Sequence, residues 1–199
     1  MSYLDHAYER LQRYFAEGAW DLYDGVAVVP NSDLTVCDII LSVALNSQLD
    51  TRNKIWHVWQ QKRAIEEALT RIPSTLSLSA EQVPWEDLFY LFEAFCSAKY
   101  AKEAVATKVL HKKRPALIPI YDRVVGEYFR PHIDARVWQR GGAAFLIQYM
   151  QLFRQELLTH EHEIDRLCAL AAEQGWLITP VRMLEVLIWI EYDPLASYR

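Results

Sequence analysis

The segment HKKRPALIPIYDRVVGEYF (residues 111–129) contains a helix end, an apolar connection with a proline, and a new helix start. It opens with four cationic or titratable side chains: His111, Lys112, Lys113 and Arg114. The connection then brings a single acid, Asp122, to the first position of the next helical pattern, where a carboxylate accepts backbone N–H groups. The segment therefore predicts two helices in succession, with one acid close to a basic cluster.

The same succession of caps, apolar periodicity and breakers recurs along the chain. Thr35 and Asp38 form a capping box that opens a helix, and Ser79 and Gln82 form a second one before Pro84. Helices are predicted over about 3–18, 36–48, 51–71 (capped by Asp50), 122–130, 143–159 and 161–174. Of three others, one begins at 84, the next ends at about 110, and the last begins at 179. Because nearly every periodic segment is helical, the sequence predicts an all-α protein.

Composition narrows the classes of function. The 199 residues are 52% hydrophobic, which allows a sizeable core, and a net charge of −5 argues against a strongly cationic protein. Cys37, Cys96 and Cys168 form no CxxC pair, so we expect no disulfide framework, no metal cluster and no cofactor. The N-terminus lacks the pattern of a secretory signal, and no apolar run approaches the roughly 20 residues of a membrane span. These features predict a soluble, cytoplasmic protein.

Asp122 is the first candidate for chemistry. Helix N-caps are often Asp, so a purely structural role is one interpretation. A capped carboxylate is also fixed in direction, and such a group can stabilise developing positive charge or position a water molecule. The two roles are compatible, and the local sequence leaves both open.

The basic side chains around Asp122 are the second candidate. They are Lys108, His111, Lys112, Lys113, Arg114 and Arg123. One interpretation is a solvated loop in which Arg114 or Arg123 pairs with Asp122. The other is contact with nucleic-acid phosphates, for which a few Lys and Arg side chains supply most of the salt-dependent affinity.

The third candidate is ALNSQLDTRNKIW (residues 44–56), where an apolar helix ends in the amides Asn46 and Gln48. Amides at a helix end usually satisfy loop backbone, but they can also enter a DNA stack and hydrogen-bond base edges. Trp56 and Trp59 follow on one face of the next helix. A core position is the ordinary explanation for them, and stacking on an extruded base is the functional one.

Two of these stretches together resemble the helix-hairpin-helix DNA glycosylase superfamily. Members carry an early helix that ends close to L-x-S-x-Q-x-T-D, and residues 45–51 here read LNSQLDT, with one residue fewer between Ser and Gln and the last two residues swapped. Members also carry an acid in a frame such as P-I-L-D-x-x-V, and residues 119–125 here read PIYDRVV. The resemblance covers about 35–130. The segments 108–119 and 179–194 also resemble an uncharacterised bacterial family.

The resemblance implies a two-lobed helical glycosylase fold in a single compact unit. Residues 35–130 would form the core, and 1–34 and 131–199 would complete the second lobe. The hairpin is degenerate, because residues 97–105 read SAKYAKEAV where the family has G-x-G. The basic cluster is a candidate to replace that hairpin at the phosphates, and the sequence leaves this question open.

The resemblance also implies roles for individual residues. Asp122 takes the place of the catalytic aspartate, and Gln48 that of the glutamine that fills the space left by a flipped nucleotide. The Schiff-base lysine position falls near Ala104, between Lys102 and Lys108, so lyase activity stays open. The base pocket is expected to draw on five aromatic side chains: Trp20, Tyr23, Trp56, Tyr100 and Tyr121.

The function these features predict is a DNA N-glycosylase, monomeric and monofunctional, that acts on double-stranded DNA and leaves an abasic site. Oxidised or alkylated purines are the general expectation for its substrate. A modified base of phage DNA is another, which would make the enzyme an antiviral defence protein rather than a repair protein. The alternative is an inactive helical module on the same scaffold that binds DNA or a protein.

Overall fold

The computed structural model describes residues 4, 6–16, 20–27, 30–47, 49 and 51–192, and the prediction of an all-α protein is confirmed. No strand occurs within these residues. The helices are α1 (Ala7–Ala16), α2 (Val36–Leu41), α3 (Arg52–Trp59), α4 (Lys62–Leu69), α5 (Trp85–Cys96), α6 (Glu103–Lys113), α7 (Arg123–Phe129), α8 (Ala135–Arg140), α9 (Gly142–Thr159), α10 (Glu161–Glu173) and α11 (Pro180–Tyr192). Short helical turns span Trp20–Asp24 (π), Ser42–Leu45 (3-10) and Arg130–His132 (3-10).

Local capping explains several helix starts. The capping box of Thr35 and Asp38 at α2 is present as predicted, with side chain and backbone bonded reciprocally. Thr51 caps α3 through Lys54 N–H; Asp50, which we expected there, lies outside the described residues. Gly175, with φ +86°, follows the end of α10, where the left-handed conformation favours glycine.

Two predictions about the helices are wrong, one about the length of a helix and one about a cap. The segment 51–71 is not one helix, because the chain turns at Gln60–Gln61 and divides it into α3 and α4. Ser79 and Gln82 form no capping box. Ser79 instead hydrogen-bonds to Ser77 within a turn, and the residue before α5 is Pro84, which makes no side-chain cap.

The core is built around the long contact between α5 and α9, with α4 packed against α5 and α11 packed against α7, α10 and α1. Helix α6 is buried along its length, since every residue from 105 to 114 is buried. A helix surrounded by protein shows little amphipathicity, and α6 has no solvent face on which its basic residues could be placed. None of the helices in the described part of the chain is long and apolar enough to span a membrane.

Candidate functional site

Asp122 is held at the start of α7. Its Oδ1 accepts a hydrogen bond from the Val125 backbone N–H at 2.9 Å, and its side chain is half-buried. Among the described residues, none forms a salt bridge with this carboxylate. The pairing with Arg114 or Arg123 that the sequence left open is therefore not formed, while the capping role is.

The negative charge of Asp122 raises the pKa of two buried side chains, Lys108 and Glu185. Burial lowers the pKa of Lys108, and the negative charge of Asp122 opposes that shift. Burial raises the pKa of Glu185, on α11, to about 8, and Asp122 adds to the rise against the opposing pull of Arg182. Asp122 therefore lies on the edge of a buried network of charged side chains that joins α6 to α11.

Lys108 connects this region to the end of the α2 segment. Its Nζ donates to the Leu45 carbonyl at 2.6 Å, and its own carbonyl accepts from the Tyr23 hydroxyl at 2.6 Å. Leu45 is the last residue of the 3-10 turn, and Asn46 follows it in the left-handed conformation with φ +56°. Lys108 is thus hydrogen-bonded to the first of the two stretches that carry the resemblance, and the charge of Asp122 in the second stretch acts on it.

The other cations of α6 also bond to helix ends. Lys112 Nζ donates to the carbonyls of Tyr23 (2.5 Å) and Val26 (3.1 Å), at the end of the π-helical turn. The Arg114 guanidinium donates to the carbonyls of Leu69 (2.6 Å) and Ile72 (2.9 Å), at the end of α4. Carbonyls near the C-terminus of a helix lack the usual N–H partner of the next turn, so these side chains complete their hydrogen bonding. Tyr23 and Leu69 each accept one turn N–H besides, from Val26 and Ile72.

The prediction that this basic cluster holds DNA phosphates is wrong for its five members from α6 and its C-cap. They are 1–8% exposed: Lys108, His111, Lys112, Lys113 and Arg114. His111 Nδ1 donates to the Ile118 carbonyl, and burial lowers the pKa of the ring to about 4, so His111 is neutral near pH 7. These cations are clustered in the sequence because they hydrogen-bond to groups inside the protein, most of them carbonyls at helix ends.

The other predicted site residues do not lie together in one site. Tyr23 is fully buried and cannot line a pocket for a base, which corrects its assignment. Asn46 is exposed at the turn after Leu45, and Trp56 is 54% exposed on α3. Arg123 is exposed beside Asp122. Gln48 and the side chain of Trp20 lie outside the described part of the chain, so their roles stay predictions.

The degenerate hairpin is a tight turn between α5 and α6. Tyr100 occupies it with φ +73°, a conformation in which glycine is the usual residue, and its ring is 42% exposed. The ring meets that of His57 on α3 at 5.5 Å between centroids. Lys99 and Lys102 are both exposed on this turn, and Lys102 directly precedes α6. A tight turn without glycine thus joins α5 to α6.

A hollow of about 450 Å³ opens between this turn and the start of α9. Tyr121, the residue directly before Asp122, lines it together with Lys102, Glu103, Trp138 and Phe145. Asp122 itself is not part of the lining. Tyr121 and Lys102 were candidates from the sequence, whereas Glu103 and Trp138 were not. The nearest sequence signal is the pair of glycines at 141–142, a combination typical of a turn.

A buried ion network was also missed. Arg182 donates to both carboxylate oxygens of Asp24 (2.8 and 2.9 Å) and lies against Glu185, whose Oε2 receives no hydrogen bond of good geometry. The Tyr14 hydroxyl donates to Asp24 at 2.5 Å. An i,i+3 charge pair in the otherwise apolar stretch VRMLEVLIWI was the signal that could have found it. Within the residues described, no group of three His, Cys, Asp or Glu side chains could hold a metal ion.

Fold and site together define an all-helical protein in which a capped carboxylate stands beside an aromatic hollow. The chain matches the family of unknown function DUF6308 over residues 1–192, and it belongs to that family. A search of curated proteins found no match. A search of solved structures found none either. The function must therefore be inferred from the site.

Proposed function

We propose that this protein is a DNA N-glycosylase in which Asp122 is the catalytic carboxylate. The observation that supports this most directly is the state of Asp122. One oxygen is fixed by the Val125 N–H, the side chain is half-buried, and no described cation pairs with it. A carboxylate that is oriented but unpaired is available to a positive charge that arises only during a reaction.

The chemistry follows from that position. Cleavage of the bond between C1′ and the base nitrogen sends the electron pair to the base and leaves positive charge on the sugar. A carboxylate beside the sugar stabilises this charge, and it can take the proton of the water whose oxygen attacks C1′. The target nucleotide has to leave the duplex first, at a cost of a few kcal/mol.

Three exposed cations are available for phosphates in place of the buried cluster. Lys99 and Lys102 lie on the α5–α6 turn, and Arg123 follows Asp122 directly. Phosphate contact needs solvent-accessible charge, and these three side chains have it. Asn46 and Gln48 keep their proposed role in the space vacated by the nucleotide.

We propose hydrolysis without strand cleavage. A Schiff-base lysine must reach C1′ with a free amine, but the Lys108 Nζ is buried and donates to the Leu45 carbonyl. Lys102 is exposed at the N-cap of α6, where it suits a phosphate contact.

The proposal is tested by counting abasic sites. Duplexes with oxidised, alkylated or substituted bases, and genomic DNA of phages with modified bases, are incubated with the protein and treated with an aldehyde-reactive label. New sites on at least one substrate, formed by the wild type and lost in Asp122→Asn, are the expected result. Equal labelling by the two proteins removes Asp122 from the mechanism.

One observation favours a second function, a binding module without catalysis. Val36, Ile40, Val43 and Trp56 are exposed apolar side chains on α2, the 3-10 turn and α3. Val36 and Trp56 share a hollow of about 550 Å³. Contiguous exposed apolar surface is typical of a protein-binding face. A module of this kind would leave every DNA substrate intact.

A further inference from the structure

We propose that the hollow beside Tyr121 is a recognition site for an amino-substituted nucleobase, with Glu103 as the residue that selects the amino group. This inference rests on the proposed function for its biological setting, but it is argued from the hollow alone. Among the residues of the expected pocket whose side chains the structure describes (Tyr23, Trp56, Tyr100 and Tyr121), Tyr121 alone lines it.

The size of the hollow fits a small organic ligand. Its volume of about 450 Å³ lies within the range of roughly 300–1,000 Å³ for ligand sites. That is about fifteen times the roughly 30 Å³ that one water molecule occupies in the liquid, so a base fits with room for a substituent.

Aromatic side chains form part of its wall. The ring of Phe145 lies edge-on to Tyr121 (5.0 Å between centroids) and to Trp138 (5.4 Å). Edge-to-face packing holds the three rings in fixed orientations, and aromatic rings are the usual partners of a nucleobase that has left the stack. The wall therefore suits a flat heteroaromatic ring better than a flexible or saturated ligand.

Glu103 supplies a fixed hydrogen-bond acceptor. The Gly142 backbone N–H donates to its Oε1, which sets the direction of the carboxylate. Gly141 has φ +67°, and a Cβ there would collide with Glu103 Oε1. A glycine at this position lets the backbone and the carboxylate approach closely, so the acceptor is held in place before any ligand arrives.

The Tyr121 hydroxyl is a donor on a second residue that lines the same hollow. Burial raises the pKa of Tyr121 to about 12, and the negative charge of Glu103 adds to the rise. A phenol that keeps its proton and a carboxylate that line one hollow suit a base edge with an amino group next to a ring nitrogen, as in cytosine and adenine. Uracil and hypoxanthine present a carbonyl oxygen where those bases carry the amino group, and that oxygen would meet the carboxylate.

The charges at the opening fit a nucleotide. Lys102, at the α5–α6 turn, and Arg140, at the end of α8, are exposed members of the lining. A ligand with a base inside and a phosphate outside would place its negative charge next to them. This arrangement favours a nucleotide over an uncharged aromatic compound.

The test measures binding of nucleosides to the intact protein, so it does not depend on catalysis. We expect cytidine or adenosine to bind at least about tenfold more tightly than its deaminated counterpart, uridine or inosine, in isothermal titration. Glu103→Gln keeps an oxygen for the Gly142 N–H but adds a donor, so it should bring the two affinities within about threefold. Trp138→Ala should weaken both ligands. Glu93→Gln, an exposed acid of α5, is the matched control and should keep the preference.

The outcomes separate this inference from the glycosylase proposal. Equal binding of amino and deaminated nucleosides, or a preference that survives Glu103→Gln, overturns the recognition site even if Asp122-dependent base release is found. A preference that depends on Glu103, without base release from any duplex, supports the site and rejects the glycosylase. No binding of any nucleoside at millimolar concentration also overturns the site.

Discussion

Lys113 and Asp38 form a buried ion pair, with Nζ 2.7 Å from Oδ2 and both side chains almost fully enclosed. Asp38 is also the capping-box residue of α2, so this pair joins the start of α2 to the end of α6. Asp38, which the sequence predicted as a helix cap, is thus the partner of Lys113, which the sequence predicted as a contact to DNA phosphates. The pair illustrates how the interior of this protein uses its cations.

The ion pair predicts strong coupling between its partners. Lys113→Met and Asp38→Asn should each destabilise the protein by about 3–5 kcal/mol, because either change leaves its partner buried without full compensation. The double variant should lose less than the sum of the two, measured as free energy of unfolding in urea. Additive losses would show that the two side chains act independently.

Arg114 should be irreplaceable by lysine. An ammonium group cannot reproduce the planar set of donors that reaches the carbonyls of Leu69, Ile72 and Asn31. We expect Arg114→Lys to lower the free energy of unfolding by about 2–4 kcal/mol. Arg71→Lys, at an exposed position, is the control and should stay within about 0.5 kcal/mol of the wild type. An Arg114→Lys protein of normal stability but weaker DNA binding would restore the phosphate role.

The buried acid Glu185 predicts that stability falls as the pH rises from about 4.5 to about 8. Its pKa rises from 4.5 in the unfolded chain to about 8, so its contribution is full below pH 4.5 and is lost as pH rises to 8. His111 acts in the opposite sense, because its pKa falls from 6.5 to about 4 and its contribution is lost below pH 6.5. The two effects oppose each other between pH 4.5 and 6.5, and only that of Glu185 operates from 6.5 to 8.

Denaturation in urea at several pH values checks this. The wild type should lose up to about 1.4 kcal/mol per pH unit between pH 6.5 and 8. Glu185→Gln should abolish that slope and keep the loss below pH 6.5 that comes from His111. An unchanged slope in the variant means that another group is responsible.

Exposed cations on the α5–α6 turn should determine the salt dependence of DNA binding. Lys99→Gln and Lys102→Gln should each weaken duplex binding irrespective of sequence and reduce the slope of log K against log salt by about 1. Arg166→Gln on α10, where the cation pairs with Glu163, is the control. Equal slopes in all proteins would place the DNA elsewhere.

Sequence analysis was most reliable where the signal was local. The Thr35–Asp38 box, the start of α7 at Asp122 and the boundaries of α9 and α10 depend on residues a few positions apart. The burial of α6 could not be inferred in this way, because hydropathy places Lys112 and Arg114 on the surface. Their partners are carbonyls more than 40 residues away along the chain, which only the tertiary fold brings close.

The site shows the same division. The acid at 122 was found from its frame, whereas the hollow beside it combines Glu103 with Trp138 and Gly141 from a distant segment. None of these three belongs to a recognisable motif. Gly141 could be marked as a turn residue from sequence, but its close approach to Glu103 is a property of the folded chain.

The most direct test of the account is the single-turnover rate of base release by Asp122→Asn on whichever duplex the wild type acts on. Asparagine is as good an N-cap as aspartate, so the free energy of unfolding should change by less than about 1 kcal/mol. The rate of abasic-site formation should fall by about 10²–10⁴-fold, because the charge that stabilises the sugar is gone. A stable variant that releases the base at the wild-type rate would contradict the proposal that Asp122 performs the reaction.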